Sequence, residues 1–258
     1  MELVRIRGGL AKMCRESPTL KCIITLLMML AVVGNTTSPA ASQMNAEMHY
    51  DLADEISEVF ESGNVAPLLC PKPIFLILIR INRLRFQAAS DTPPPRGASR
   101  SAAEDLLRDI ESFTPKEWAA TKETFQEDWA LLGSVYKSTA ALYCVCALQS
   151  VSVLPTTAAV NALRAGYRAR QRALLEQGMG ARRVVHSLVW PLVVAGVDCV
   201  GVGASIAIRE FVERSLLALG RDIGSFSPRV AKVTLNRYWE SGKSTWDECF
   251  DRPYAFLA

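Results

Sequence analysis

The sequence predicts an all-α fold: a single multi-helix domain with a buried central helix. Apolar residues recur at steps of three, four and seven along much of the chain, whereas the apolar–polar alternation of strands is almost absent. Half of the 258 residues are hydrophobic, so the chain is long and apolar enough to bury a sizeable core. We find no internal repeat and no heptad array. This composition is that of an ordinary globular protein.

Charge and cysteine content narrow the class of protein. The net charge of +3 is too small to indicate a nucleic acid or an anionic membrane as partner. The sequence has seven cysteines, an odd number; no two of them form a C-x-x-C pair, and most lie within apolar runs. This pattern indicates a reducing, intracellular compartment and no disulfide framework. The two histidines leave little material for a histidine-based metal site.

The first helix has two interpretations. Four basic residues precede the apolar run 22–33, and the small residues "NTTSPAAS" follow it, which is the pattern of a secretory signal. The alternative is a buried helix with Ser17 as N-cap, Pro18 at its first position and a stop at Gly34 and Asn35. The run is too short to span a bilayer. The pattern favours the buried helix, with residues 1–16 as an N-terminal segment before a domain over 17–258.

The segment "FTPKEW" gives the clearest helix start. Thr114 is the predicted N-cap, Pro115 fits the first position, and Glu117 completes a capping box. We expect one helix from here to about Leu148. Its face carries an apolar stripe of Trp118, Phe125, Trp129, Leu132, Tyr136, Ala140 and Tyr143. Such a stripe can line a ligand pocket, but it is more often part of the core.

Other segments fit the same all-α plan. Residues 71–86 predict a mostly buried helix, followed by a flexible loop over 87–101 that contains "DTPPPRGASR". Residues 208–219 present one apolar face, with a stop at Gly220 or Gly224, and Ser227 with Pro228 opens a further helix. The acidic residues Asp51, Asp54 and Glu55 are expected on a solvated helix face, opposite Leu52, Ile56 and Phe60.

The motifs of common enzymes and metal sites are not found in the sequence. It contains no nucleotide-binding glycine loop, no G-x-S-x-G and no H-E-x-x-H. We expect Cys144 and Cys146 to be packed helix residues. The basic clusters are expected on solvated, salt-bridging helix faces rather than on a phosphate site; they comprise Arg80, Arg83 and Arg85, then Arg164, Arg168, Arg170 and Arg172, then Arg182 and Arg183. No catalytic, metal-binding or DNA-binding residue is predicted, and the chain is not expected to be an enzyme.

The most apolar stretch, residues 188–208, is long enough to cross a membrane but contains features that disfavour a span. Asp198 would cost about 2.5–3.5 kcal/mol at the centre of a bilayer. Pro191 would remove a helical hydrogen bond to the Ser187 carbonyl, and three glycines weaken the helix. We therefore expect a buried helix in which Asp198 caps or forms hydrogen bonds.

Motifs in this stretch and elsewhere resemble one protein family. "WPLVVAGVDC" is similar to the W-P-L-x-x-A-G signature of the C-terminal regulatory domain of fungal zinc-cluster transcription factors. Further similarities follow the order of that domain from about residue 65 onward. They are "CPKPIFLILIRINRLR", "DLLRDIESFTPKEWA", "SVYKSTAALYCVCALQSV", "REFVERSLLALGRDIG" and "LNRYWESGKSTWDECFDRPYAFL". The motif residues, expected to be structural, are Trp190, Pro191, Gly196, Trp239, Trp246, Asp247, Phe250 and Tyr254.

The resemblance implies an all-α regulatory domain of a transcription regulator in the nucleus, with control of a biosynthetic gene cluster as a common role. It implies protein partners in transcription, no membrane partner and a candidate small-molecule effector. The family's DNA reader is a six-cysteine zinc cluster, and the sequence contains none. We therefore expect no cofactor in this chain, with zinc only if an upstream cluster exists, and DNA contact only indirectly or through such a missing cluster. The chain is expected to be a truncated or stand-alone regulatory domain. The alternative is a membrane-associated or secreted helical protein that uses segments 22–33 and 188–208.

Overall fold

The computed structural model describes residues 9–61, 70–200, 205–222 and 224–257. Within these ranges the chain forms twelve α-helices, two short 3-10 helices and no strand, which confirms the all-α prediction. The α-helices are α1 (Leu10–Glu16), α2 (Pro18–Thr36), α3 (Ala46–Asp51), α4 (Ala53–Glu61), α5 (Lys72–Ala88), α6 (Arg96–Ser112), α7 (Pro115–Ala120), α8 (Gln126–Ser150), α9 (Ala158–Gly180), α10 (Val189–Asp198), α11 (Ser205–Asp222) and α12 (Ser227–Glu240).

The central helix of the domain is α8. Its residues from Leu132 to Leu148 are buried around most of the circumference, including Cys144 and Cys146. Helices α5, α6, α7, α9 and α10 pack around it. A helix that is apolar all round needs such neighbours on every side, so α8 positions the others.

The helix predicted from residue 114 to about residue 148 is divided in two. Helix α7 ends at Ala120, and α8 begins after Phe125, whose backbone has the left-handed φ of 57°. The predicted capping box is absent, because the Thr114 side chain makes no cap hydrogen bond. The buried half of the stripe lies on α8, whereas Phe125 is exposed at the break.

The start of α2 agrees with the buried-helix interpretation. The Ser17 side chain accepts a hydrogen bond from the Leu20 N–H at 3.3 Å, and Pro18 occupies the first turn. The helix continues to Thr36, two residues beyond the predicted stop at Gly34. Before it, Leu10 and Cys14 of α1 are buried in the common core. The Leu10 N–H donates to the Glu55 carboxylate at 2.5 Å, so α1 is held against α4.

One face of α2 remains exposed. Its large apolar side chains are between 37% and 56% exposed, and they are Ile23, Leu26, Leu27 and Leu30. Met29, Val32 and Val33 on the other face are buried. The helix therefore contributes to the core with one side only.

The apolar stretch 188–208 does not form one helix. Helix α10 ends at Asp198 and α11 begins at Ser205, while Gly201 and Gly203 lie outside the described residues. Ten residues of α-helix span about 15 Å, half of the hydrocarbon core of a bilayer. Pro191 lies in the first turn of α10, and the Ser187 carbonyl accepts from the Tyr136 hydroxyl at 3.0 Å instead. The described residues of this stretch therefore form no single helix that is long enough to cross a membrane.

The loop between α5 and α6 is shorter than the predicted 87–101. It covers residues 89–95, because helix α6 begins directly after Pro95. Proline disfavours helix in the residue before it and is tolerated next to a helix start, so the three consecutive prolines end the loop and the helix begins directly after the last of them. Asp51 and Asp54 are exposed, and Leu52 and Ile56 are buried opposite them, as predicted.

Candidate functional site

Two tryptophans of the family motifs converge on the C-terminal end of α2. The Trp190 indole N–H donates to the Thr36 hydroxyl at 2.9 Å, and the Trp246 indole N–H donates to the Thr36 carbonyl at 2.8 Å. Both rings are buried and also contact the Tyr143 ring, with centroids 6.0 Å and 4.9 Å away. A buried indole N–H requires an acceptor, and here one threonine of α2 provides both.

A buried arginine of α5 completes this junction. Arg85 is fully buried and donates to the backbone carbonyls of Asn35, Thr36 and Ser38, at distances from 2.9 to 3.3 Å. Its guanidinium also donates to the Tyr143 hydroxyl at 2.9 Å and forms an ion pair with Asp247. We call Arg85 with these five partners the arginine clamp.

The arginine clamp satisfies groups that would otherwise be costly to bury. The last carbonyls of a helix have no partner within the helix and carry partial negative charge, which a cation at the C-terminal end stabilises. Burial alone disfavours the charged guanidinium, but Tyr143 and Asp247 outweigh it and hold the pKa of Arg85 above its ordinary value. Burial raises the pKa of Tyr143 to about 12, so its hydroxyl stays protonated. The clamp therefore joins α2, α5, α8 and the C-terminal segment.

The remaining C-terminal motif residues extend the same junction. Phe250 is buried against the Trp246 ring, with the centroids 5.5 Å apart. The Tyr254 N–H donates to the Thr37 hydroxyl at 2.9 Å, and that hydroxyl donates to the Tyr254 carbonyl at 2.6 Å. Residues 246–254 are thus fixed to the end of α2 by main-chain and side-chain bonds.

Gly196 has a different role, because it allows α10 and α12 to approach closely. A Cβ atom added at Gly196 would lie 2.6 Å from a Leu235 methyl group, too close for a real contact. The Gly196 carbonyl accepts from the Trp239 indole N–H at 2.8 Å. This contact accounts for both motif residues in structural terms.

Asp198 forms a second buried polar cluster at the end of α10. Its carboxylate is fully buried and pairs with Arg164 and Arg168 of α9, and the Cys146 thiol donates to it at 3.3 Å. The Arg164 guanidinium also donates to the Gln149 side-chain carbonyl at 3.0 Å. The prediction that Asp198 forms hydrogen bonds in a buried helix is confirmed. A cavity of about 530 Å³ opens beside this cluster.

The structure brings together five of the eight motif residues around Thr36 and Thr37, namely Trp190, Trp246, Asp247, Phe250 and Tyr254. Gly196 and Trp239 meet each other, and the Pro191 carbonyl accepts from the buried Gln171 side chain at 3.1 Å. The prediction of a solvated face was wrong for Arg85. One signal could have revealed this: Arg85 lies four residues after Ile81 and seven after Leu78, on the buried stripe of α5.

The described residues do not fit a zinc cluster. Six of the seven cysteines are buried, and all seven are free. No three His, Cys, Asp or Glu side chains come together within the described ranges in a way that could hold a metal ion. Burial raises the pKa of Cys70, Cys144 and Cys249, which keeps their thiols neutral. These cysteines pack as small apolar side chains.

Two helices of the described part of the chain are long and apolar enough to cross a membrane. In Gln126–Ser150, 83% of the most apolar segment is buried inside the domain, which makes it a core helix. In Thr19–Thr36, 44% is buried, because the apolar face described above is exposed. The helix extends beyond the run 22–33 on both sides, so the expectation that this segment is too short to span a bilayer was wrong.

Comparison with known sequences shows the family of the chain. Residues 1–256 match the family described as fungal specific transcription factor domain. The chain belongs to the fungal-specific transcription factor domain family. This membership confirms the resemblance found in the sequence.

One curated relative of this transcription factor domain is the phomenoic acid biosynthesis cluster-specific transcriptional regulator of Leptosphaeria maculans. The two are 34% identical over an alignment of 259 positions, which covers 99% of this chain and 49% of the relative. The chain thus spans about half the length of the relative that it matches. No solved structure matches the chain significantly.

Proposed function

We propose that this chain is the regulatory domain of a nuclear transcription regulator that controls a biosynthetic gene cluster. The observation that supports this most directly is its 34% identity, over almost all of its length, to a protein named as a cluster-specific transcriptional regulator. An alignment over 99% of the chain includes the motif residues of the junction around Thr36. Similarity over the whole domain favours a shared regulatory role.

The geometry supports a role that depends on contacts and not on catalysis. The motif residues Trp190, Trp246 and Phe250 are buried, so they hold the helices together and cannot meet a partner directly. Arg85 and Asp247 neutralise each other in the arginine clamp. The proposed domain acts through its surface on protein partners in transcription. The domain reaches DNA only indirectly, through a partner or through a zinc cluster outside this chain. Zinc enters the proposal only if such a cluster exists.

Gene deletion in the source organism tests the proposed function. We expect the transcripts of one contiguous set of biosynthetic genes to change together, with the wild-type gene restoring their level. A gene encoding Arg85→Met should fail to restore it, because the domain loses its clamp. Arg80→Met on the same helix is the matched control and should restore it, since Arg80 is 40% exposed in its pair with Asp109.

The location of the protein provides an independent test. A fluorescent tag at the native locus should give a nuclear signal under conditions that induce the gene set. Deletion without any coordinated change in a contiguous gene set would contradict the proposal. A tagged protein found only in membranes or in the culture medium would contradict it as well.

A further inference from the structure

The cavity beside Asp198 lies between α8, α9 and the segment that precedes Trp246. It has a volume of about 530 Å³. Two arginines supply its charged lining, and the uncharged lining includes Cys146, Gln149, Asn161, Val200 and Trp246. Its size is typical of pockets that bind small organic molecules, which have volumes of about 300–1,000 Å³.

The arginines of the cavity are held in place but keep donors for a ligand. Arg164 donates through Nε to Asp198 and through Nη1 to Gln149. Arg168 donates to Asp198 through Nε and Nη2. A guanidinium carries N–H donors on three nitrogens, and the bonds above use two nitrogens of each arginine. The third nitrogens, Arg164 Nη2 and Arg168 Nη1, have no hydrogen-bond partner among the described residues. The two side chains remain 23% and 21% exposed and can therefore meet a molecule in the cavity.

The charges around the cavity do not balance. Arg164 and Arg168 face the single carboxylate of Asp198, which leaves one positive charge without compensation. Burial and the Asp198 charge raise the pKa of Cys146 well above its ordinary value, so this thiol is neutral. The Glu248 carboxylate, outside the lining, is exposed to solvent and accepts bonds from Ser244 and Thr245. An uncompensated charge in a half-enclosed cavity favours an anion.

We propose that this cavity binds the carboxylate of a small organic anion. The free arginine nitrogens, one on each side chain, equal the two oxygens of a carboxylate in number, and the side chains of Gln149 and Asn161 add neutral polar groups. Val200 and Trp246 provide apolar contact for the body of the ligand, and the volume far exceeds that of an inorganic oxyanion. The role of this cavity as an effector site rests on the proposed function, whereas the binding of a carboxylate there does not. Gene-expression and binding experiments can therefore fail separately.

The first test is ligand binding by the purified full chain. Sodium benzoate and sodium hexanoate are each titrated into the protein, and benzamide, inorganic phosphate and sodium chloride are titrated in the same way for comparison, all at equal ionic strength. Isothermal calorimetry and thermal unfolding should show saturable binding of a carboxylate, with a rise in Tm. Benzamide, which has the same ring without the charge, should have no such effect. Binding to the folded state raises the stability with ligand concentration, so both readouts report the same event.

Charge variants locate the site. Asn161 lies on the exposed rim of the cavity, and Asn161→Asp should weaken carboxylate binding about fivefold or more, because it removes the excess positive charge. Gln177→Glu is the matched control: it adds the same charge on an exposed position of α9, 16 residues further along and about 24 Å away, and should leave the affinity unchanged. Asp198→Asn should strengthen binding in whatever fraction of the protein folds.

Four outcomes would overturn the proposal. The first is that no carboxylate binds saturably, and the second is that benzamide binds as well as benzoate. The third is that only phosphate binds, which would make this a site for an inorganic anion. The fourth is that Asn161→Asp and Gln177→Glu weaken binding equally, which would place the anion on the general surface. Saturable carboxylate binding that Asn161→Asp alone weakens supports the site.

Discussion

Replacing Arg85 by methionine should destabilise the domain more than any exposed charge replacement on the same helix. Methionine replaces the aliphatic stem of the side chain, but three buried carbonyls and the Tyr143 hydroxyl lose a donor. Asp247 loses its partner and is only 23% exposed, so water replaces the pair incompletely. Removing one member of a buried ion pair costs about 3–5 kcal/mol. That is a large part of the total stability of about 5–15 kcal/mol that folded domains possess.

Urea and thermal unfolding measure this effect, with tryptophan fluorescence as the signal, since Trp190 and Trp246 both lie in the junction. A loss of 3–5 kcal/mol corresponds to a fall in Tm of about 6–20 °C for a domain of this size. The matched control is Arg80→Met, whose exposed ion pair contributes about 1 kcal/mol or less. An Arg85→Met protein within about 1 kcal/mol of the wild type, or no less stable than Arg80→Met, would refute the arginine clamp as a stabilising element.

Three further predictions follow from packing, pH and chemical reactivity. Gly196→Ala should cost about 1–3 kcal/mol in urea unfolding, because its methyl group would overlap Leu235, whereas Gly166→Ala in the exposed part of α9 has open space and should be neutral or stabilising by up to about 1 kcal/mol. Hydrogen bonds from Arg237 and the Tyr254 hydroxyl lower the pKa of Asp251 to about 2. Because this pKa is lower in the folded than in the unfolded state, the ionised carboxylate stabilises the fold at pH values above the unfolded-state pKa. This contribution is lost as the pH falls towards the folded-state pKa. Since the carboxylate is solvent-exposed, Asp251→Asn should lower the free energy of unfolding by only about 0.2–1 kcal/mol at about pH 6. A difference in stability between wild type and variant that does not become smaller towards about pH 3 would contradict the lowered pKa of Asp251. Iodoacetamide should modify Cys22, the exposed cysteine, in the native protein and all seven cysteines in urea; rapid native labelling of any other cysteine, detected by mass spectrometry, would contradict its burial.

Local patterns in the sequence predicted the helices better than their interruptions. Ser17 and Pro18 mark the start of α2 correctly, because capping depends on residues that are neighbours in sequence. The break before Phe125 carries no glycine or proline, so no local signal marks it. The stretch after Asp198 contains glycines that are compatible with either a close helix contact or an end of the helix, and tertiary packing decides between them.

The candidate sites were predictable to a lesser degree, because their partners are distant in sequence. The motif residues Trp190 and Trp246 were found, but Thr36, which accepts from both, carries no motif. The arginines Arg164 and Arg168 were expected on a solvated face, and their buried partner lies 34 and 30 residues further along the chain. Which charge is buried depends on the fold, which periodicity within one helix does not specify.

The bond between Trp246 and Thr36 has a consequence for the protein during its synthesis, because it spans 210 residues of chain. At a translation rate of about 5–20 residues per second, α2 emerges about 10–40 s before its last partners do. During that interval the carbonyl end of the helix and its apolar surface are open to the cytosol, where chaperones can bind them. The nascent chain closes this junction only when the residues around Trp246 leave the ribosome, so the domain completes its folding late.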